Sequence, residues 1–213
     1  MAWYKNTARW AVSLLLRQGA QLRPENIIAE YRRGRFPMTE RFGRIVWHDP
    51  EPRAILPLDA RFHVPSLVRK LIQRNTFSVT FDTAFTAVVS GCAERTSRRP
   101  YSWITPEIAA AYTRLHRMGV AHSVEVWRDG TLVGGGYGVA IQGLYCGESN
   151  FSRESDASKV GLAHLGERLQ ARGFVLHDAQ ESSNLSRQFG VVEVSRGEYR
   201  TLLAKALAVD TQF

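Results

Sequence analysis

Residues 122–140 read HSVEVWRDGTLVGGGYGVA. From His122 to Arg128 apolar and polar side chains alternate at the two-residue period of a half-buried strand. Asp129-Gly130 follows as a strong hairpin turn, because both residues tolerate positive φ. Thr131 to Ala140 then returns as a glycine-rich antiparallel strand. Three consecutive glycines, Gly134 to Gly136, weaken a strand on their own account, so they imply a bulge or a close approach of another backbone. Further along, Leu144 to Glu148 makes a third strand. Asp156 can cap a helix from Ala157 to Arg172, Gly173 ends it, and Phe174 to Asp178 is a strand of the fully buried type.

The resulting order is an antiparallel meander, one crossover helix and a strand, which acyltransferases of the GCN5-related class share. Fold analogy of this kind leaves the substrate open. Upstream, Thr76 to Phe81 alternates as a strand, and Asp82 can cap a helix whose apolar positions Phe85, Val88, Val89 and Cys92 keep the 3.6-residue period. Thr105-Pro106-Glu107 opens another helix, closed by Gly119. Pro65 to Arg74 suggests a helix, and Ile45 to His48 and Ala54 to Leu56 are short strand candidates. Pro24 at a first turn opens a helix to Arg33, and residues 3–16 have helical character. These elements predict an α+β protein in two parts: a small N-terminal domain over 1–60 and a GNAT-like domain over 61–213 with a mixed, mostly antiparallel sheet.

Composition narrows the function classes. The chain has 213 residues, 44% hydrophobic and 23% charged, enough for a real core. No apolar run approaches the roughly 18 residues needed to cross a bilayer. Lys5 and Arg9 precede a short apolar run, but Gln18-Gly19-Ala20-Gln21 is a poor cleavage site, so a secretory leader is not expected. Two cysteines, Cys92 and Cys146, resemble neither a disulfide framework nor a zinc site, which fits a reduced, cytoplasmic compartment and no metal or other cofactor.

The net charge of +8 is uneven, since residues 1–120 hold 19 Lys/Arg against 9 Asp/Glu and residues 121–213 hold 9 against 11. Of the 28 basic residues 24 are Arg, whose planar fork pairs with phosphate and stacks on bases. A polyanionic partner follows, although a GC-rich genome would produce the same bias. Arg98 and Arg99, in a basic loop that ends in Tyr101 and Trp103, suit a nucleic-acid backbone.

Three polar residues stand out in the second half. Glu148 lies at a strand end, where clefts form, with Arg153 as a local ion-pair partner in the plainer reading. Asp178 ends an apolar strand, so it must be paired, functional, or closing an Asx turn. Gln180, two residues on, faces the same side if the chain stays extended. No glycine-rich pyrophosphate cradle separates the Leu144 strand from the Ala157 helix, which weakens a coenzyme A reading. Trp47, Trp103 and Tyr145 could stack on a base, worth about 1–3 kcal/mol each, or be core.

The wording of the chain carries more. Tyr31-Arg32-Arg33-Gly34-Arg35-Phe36-Pro37, Trp47-His48-Asp49-Pro50-Glu51-Pro52-Arg53, Ser102-Trp103-Ile104, Ala121 to Trp127, and Gly147-Glu148-Ser149-Asn150-Phe151-Ser152-Arg153 before Ala157-Ser158-Lys159 closely resemble the leucyl/phenylalanyl-tRNA-protein transferase family, in order, from about Ile27 to Leu203. The resemblance implies a monomeric enzyme without metal or coenzyme A. It would move leucine or phenylalanine from charged tRNA to the N-terminus of a protein or peptide starting with Arg or Lys. By the same resemblance Glu148, Asp178 and Gln180 form the polar centre, with Asp178 polarising Gln180. Trp47 and Trp103 lie near the terminal adenosine. Tyr145, Gly136, Asn150, Leu165, Leu169 and His177 line the aminoacyl pocket, and Lys70, Arg74, Arg98 and Arg99 contact tRNA.

Departures from the family pattern gather in that pocket: Asn150 stands where Met is usual, Gly136 replaces a larger apolar residue and His177 an aliphatic one. His48 and the segment Glu181 to Gly190 also differ. A divergent member is expected, with a roomier and more polar pocket. Three alternatives stay open: an acyl-CoA-dependent N-acyltransferase, a tRNA-dependent aminoacyltransferase with a different small-molecule or peptide acceptor, and an RNA-binding module without catalysis.

Overall fold

A computed structural model describes residues 22–39, 44–97 and 100–213 of the chain. The helical segment expected over residues 3–16 and the tRNA candidates Arg98 and Arg99 lie outside the described residues. The helices are α1 (Pro24–Arg32), α2 (Ser66–Gln73), α3 (Phe85–Ala93), α4 (Pro106–Arg117), α5 (Ala157–Ala171), α6 (Asn184–Gln188) and α7 (Arg196–Ala206). The strands are β1 (Phe36–Thr39), β2 (Ile45–His48), β3 (Arg53–Leu56), β4 (Ser78–Phe81), β5 (Ala121–Arg128), β6 (Thr131–Ile141), β7 (Leu144–Ser152), β8 (Leu176–Gln180) and β9 (Val192–Val194).

Strands β1 and β2 form a separate two-stranded ribbon, and the other seven make one sheet in the order β4-β5-β6-β7-β8-β3-β9. Every neighbouring pair is antiparallel except β7 and β8, which the crossover through α5 makes parallel. The α+β class and the mixed, mostly antiparallel sheet expected from the alternation are therefore present. One placement differs. β3, on the N-terminal side of the boundary expected at residue 60, is hydrogen bonded between β8 and β9, one strand in from the edge of this sheet. A strand this short cannot bury both faces alone, and all four of its residues, Arg53 among them, are buried here.

Consecutive residues of a strand point to opposite faces, and the core divides accordingly. Tyr137, Val139 and Cys146 share one cluster with Ile108, Tyr112 and Leu115 of α4, Val88 and Val89 of α3, Tyr31 of α1 and Tyr199 of α7. Val124 and Tyr145 face the other way and pack with Leu165 and Leu169 of α5. Helix α4 shows why the pattern reads so directly. Ile108, Ala111, Tyr112 and Leu115 recur at helical spacing and are all buried, while the Thr105 side chain accepts the N–H of Ile108 at 3.4 Å to cap the first turn.

The glycine run marks a close approach, as anticipated. A Cβ on Gly134 would come 2.7 Å from that of Ala157, and one on Gly135 would come 2.4 Å from the Val124 carbonyl oxygen, where the backbone has φ +155. The first contact lets α5 begin tight against the sheet, and the second lets β5 and β6 approach closely. Two expected caps differ. Asp82 caps no helix and instead accepts the Ser123 N–H at 2.9 Å and sits 2.7 Å from His122 Nδ1; Asp156 does stand at the N-cap of α5, but at φ +65 and with its side chain paired to Lys159 at 2.7 Å, making no side-chain cap bond. In both cases a longer-range or charged partner outcompetes the neighbouring helix N-terminus. β7 also runs four residues past Glu148, so the serine-rich stretch expected as a connection is strand.

Candidate functional site

The site arises from a split in the sheet. β7 and β8 pair only through Leu144 with Leu176, Tyr145 with His177 and Cys146 with Asp178. Past Cys146 the strands part. A cleft of about 320 Å³ opens there, lined from β7 by Gly147, Glu148, Ser149 and Asn150 and from β8 by His177, Ala179 and Gln180. Phe36, Pro37 and Met38 of the small ribbon, Trp103, and Leu162 and Leu165 of α5 complete its walls.

Glu148 owes its position to a bulge. Tyr137 pairs with Ser149 and Gly138 with Gly147, which leaves Glu148 as the extra residue. A bulge re-aims one side chain out of the strand's alternation. Here it brings the carboxylate to Gln180, whose Nε2 donates to Oε1 at 2.7 Å, and to the Tyr112 hydroxyl, which donates to Oε2 at 2.8 Å. The Tyr112 and Tyr31 hydroxyls lie 2.5 Å apart behind it. No cation pairs with Glu148 among the described residues. Burial therefore pushes its carboxyl up to about 7, against the pull of its hydrogen bonds. Arg153, its expected ion-pair partner, reaches Glu94 at 3.0 Å instead.

Asp178 is arranged in the opposite way. It is fully buried, and Arg53 grips both oxygens, with Nε to Oδ1 at 2.9 Å and Nη2 to Oδ2 at 2.6 Å. The Tyr199 hydroxyl adds a bond to Oδ2 at 2.7 Å, and the Cys146 thiol lies 3.6 Å away. The Arg53 guanidinium is itself held over the rings of Phe36, at 5.0 Å, and Tyr199, at 4.4 Å. Burial alone would lower the Arg53 pKa; the bonds and charge of Asp178 outweigh it and raise the pKa.

Asp178 reaches Gln180 through the backbone, accepting its N–H at 2.8 Å, while Gln180 turns to φ +65. This is the Asx turn considered from the sequence, formed together with the ion pair. Asp178 holds the Gln180 backbone, not its amide side chain, and does so from outside the cleft lining.

The other candidates divide by where they face. Trp103, Tyr145, Gly136, Asn150, Leu165 and His177 all line the cleft. Leu169 does not; it is fully buried, packed with Leu165 and Phe174. Trp47 lies one strand away, half-buried against the core and opposite Pro37, which does line the cleft. Gly136 makes less room than its missing side chain suggests, because a Cβ there would meet the Ser149 carbonyl oxygen at 3.0 Å. Lys70 and Arg74 are exposed at the C-terminal end of α2.

Sequence reasoning missed Arg53, Tyr31, Tyr112 and Tyr199. Arg53 had a signal, an arginine opening an apolar strand, since the requirement that a buried Asp178 be paired asks for one. The tyrosines had none, because at helical spacing they read as ordinary core.

Residues 55–204 match a family model described as leucyl/phenylalanyl-tRNA protein transferase. Among curated proteins, the leucyl/phenylalanyl-tRNA–protein transferase of Herpetosiphon aurantiacus is 48% identical over 91% of this chain and 98% of its own. That of Hyphomonas neptunium is 47% identical over 91% and 76%, and that of Salinibacter ruber 48% over 88% and 81%. Among solved structures, a GCN5-related N-acetyltransferase from Kribbella flavida aligns over 68% of this chain and 55% of its own with 13% identity and a TM-score of 0.44. L-PGS from Bacillus licheniformis aligns over 73% and 64% with 10% identity and a TM-score of 0.48.

Proposed function

Because the chain belongs to the leucyl/phenylalanyl-tRNA–protein transferase family, we propose that the cleft between β7 and β8 is where an aminoacyl group passes from a charged tRNA to the N-terminal amine of a protein or peptide beginning with Arg or Lys. The observation that carries this reading is the pairing of Glu148 with Gln180 at the strand split, a carboxylate with no cation beside it among the described residues, facing a cleft of aminoacyl size.

The ester that links an amino acid to tRNA is already activated. What the protein must supply is a neutral amine in the right place, and positioning alone can contribute about 7–11 kcal/mol. The acceptor arrives largely as an ammonium ion. Glu148, uncompensated by any described cation, attracts it and takes one of its protons, and the Gln180 amide orients the freed nitrogen. That nitrogen attacks the ester carbonyl carbon, a C–N bond forms, the C–O bond to the ribose breaks, and the amine's second proton leaves with the ribose oxygen. A carboxyl that titrates near neutrality suits the first step, since a general base works best with a pKa near the operating pH.

Trp103 offers a face for the terminal adenosine. Asp178, tied by Arg53 and Tyr199, is a positioning residue that keeps Gln180 in its turn. Exposed Lys70 and Arg74, with Arg98 and Arg99, make the tRNA-facing set. The described residues include no helix long and apolar enough to cross a membrane, and a monomer in the cytoplasm fits these substrates.

The test is transfer of a labelled aminoacyl group from a total pool of charged tRNA to peptides starting with Arg or Lys. We expect labelled peptide, and its absence with every peptide of an N-terminal library would overturn the reading.

A further inference from the structure

The apolar side of the cleft is backed by a residue from outside the family match. Residues 55–204 match the family model, and the chain beyond α7 runs on to Phe213, half-buried against the sheet on the α5 side. Thr211 Oγ1 donates to the Arg172 carbonyl at 2.5 Å, which ties this segment to the end of α5. The Phe213 ring stacks on His122, centroids 4.3 Å apart at 21°, and on Tyr145, 5.8 Å apart at 23°. It meets Phe81 edge-on at 5.8 Å, and the Arg168 guanidinium lies over it at 4.7 Å.

The platform on which Phe213 rests is itself held. His122 Nδ1 lies 2.7 Å from Asp82 Oδ2, and Nε2 lies 3.1 Å from the Gly119 carbonyl oxygen. Tyr145 is the partner that matters to the cleft, which it lines together with Val124 and Leu165, its neighbours in the same apolar cluster. Its ring is set from three sides. His177 of β8 stands edge-on, 5.2 Å away at 89°; Gly138 of β6 leaves room for it, since a Cβ there would come 2.5 Å from the Tyr145 Cζ; and Phe213 stacks on it. The first two belong to the neighbouring strands, and only the third comes from a segment outside the sheet. A side chain that loses packing on one face relaxes part-way into the space left. The Tyr145 backbone stays in register with Ala140 and His177, so such a relaxation moves the ring, and the cleft wall with it.

Resting on the transferase reading above, we propose that Phe213 is a positioning residue that sets the width of the apolar half of the cleft by bracing the Tyr145 ring. Glu148 and Gln180 are held by a different set of contacts, the Tyr112 hydroxyl and the turn closed by Asp178. The brace therefore acts on how a donor side chain fits and not on proton transfer. Without it the pocket widens: a small aliphatic donor side chain loses contact with the wall, and a larger aromatic one loses less. One methylene of misfit in an apolar pocket changes kcat/KM by about tenfold or more.

The experiment measures kcat and KM of the full chain with phenylalanyl-tRNA and with leucyl-tRNA, using a peptide that begins with Arg as acceptor. A ratio of the two donors taken on one preparation cancels any difference in folded fraction, which is what a merely structural role would change. For Phe213→Ala we expect the phenylalanyl-to-leucyl ratio of kcat/KM to rise about tenfold over the parent's, carried by KM. Phe213→Leu keeps apolar bulk without the flat ring and should move the ratio the same way by about threefold, so it decides the matter where the alanine variant does not fold. An unchanged ratio, or a fall in kcat alone that is equal for both donors, overturns the inference and leaves the transferase reading standing. Transfer from neither donor by the unaltered protein overturns that reading, and the inference with it.

Discussion

Two carboxylates flank the split in the sheet, and their surroundings are opposite in kind. Asp178 sits where β7 and β8 are still paired, sealed among Arg53, Tyr199 and the Gln180 backbone. Glu148 sits just beyond, where the strands have parted, held by a tyrosine hydroxyl and an amide. One is neutralised by a bidentate guanidinium; the other has only neutral donors. The first has a full-charge partner, as a buried charge needs, and the second, without one among the described residues, has its pKa raised by burial. In the mechanism proposed above, the fixed carboxylate serves Glu148 by holding Gln180 in the turn that presents its amide.

That division can be broken from either end. Arg53→Ala would strand the Asp178 charge and should cost about 3–5 kcal/mol of stability in urea unfolding. Arg53→Met combined with Asp178→Leu should recover most of that loss, and a single-variant cost under about 1 kcal/mol would show that the pair is not what holds this corner. Glu148→Gln removes the proton acceptor and keeps the shape. We expect kcat/KM to fall about 10²- to 10³-fold with the rise of activity through pH 7 abolished; a persisting rise would assign the base to another group.

The same variant carries a stability signature of known sign. A carboxyl whose folded pKa is raised weakens the fold only where the unfolded chain is already ionised. The penalty begins above the unfolded value of ~4.3 and is complete above about 7. Glu148→Gln should therefore be more stable than the parent at pH 8, by roughly 1–3 kcal/mol, and no different at pH 4. Equal stability at both would mean that Glu148 is not held protonated by the fold.

Tyr112→Phe sharpens the comparison by a smaller step. It removes a donor to the charged form, so the activity limb should move to higher pH by up to about one unit, at a loss of up to about fivefold at pH 7. The smallest effect concerns the surface. Lys70→Ala with Arg74→Ala should lower the salt dependence of tRNA binding by a slope of about 2 and leave kcat nearly unchanged. An unchanged slope removes that end of α2 from the interface.

Much of this was legible in residue order. The alternation from His122 to Ala140, the Asp129-Gly130 turn and the helical spacing of Ile108, Ala111, Tyr112 and Leu115 yield strands and helices because period and turn chemistry are local. Element ends were less legible. β7 continues through a serine-rich stretch because its pairing with β6 outweighs the weak strand preference of those residues. Asp82 and Asp156 read as caps, yet partners elsewhere hold them.

The candidate site followed the same rule. Glu148, Asp178 and Gln180 were visible as polar residues at strand ends, and that much, with the family to which the chain belongs, was written in the sequence. Which carboxylate is locked and which is free was not, because the deciding partners come from distant points of the chain. Arg53 meets Asp178 across 125 positions and Tyr112 meets Glu148 across 36. Local patterns record which face a side chain takes. Long-range packing determines what it meets there, and it is the partner that sets the charge.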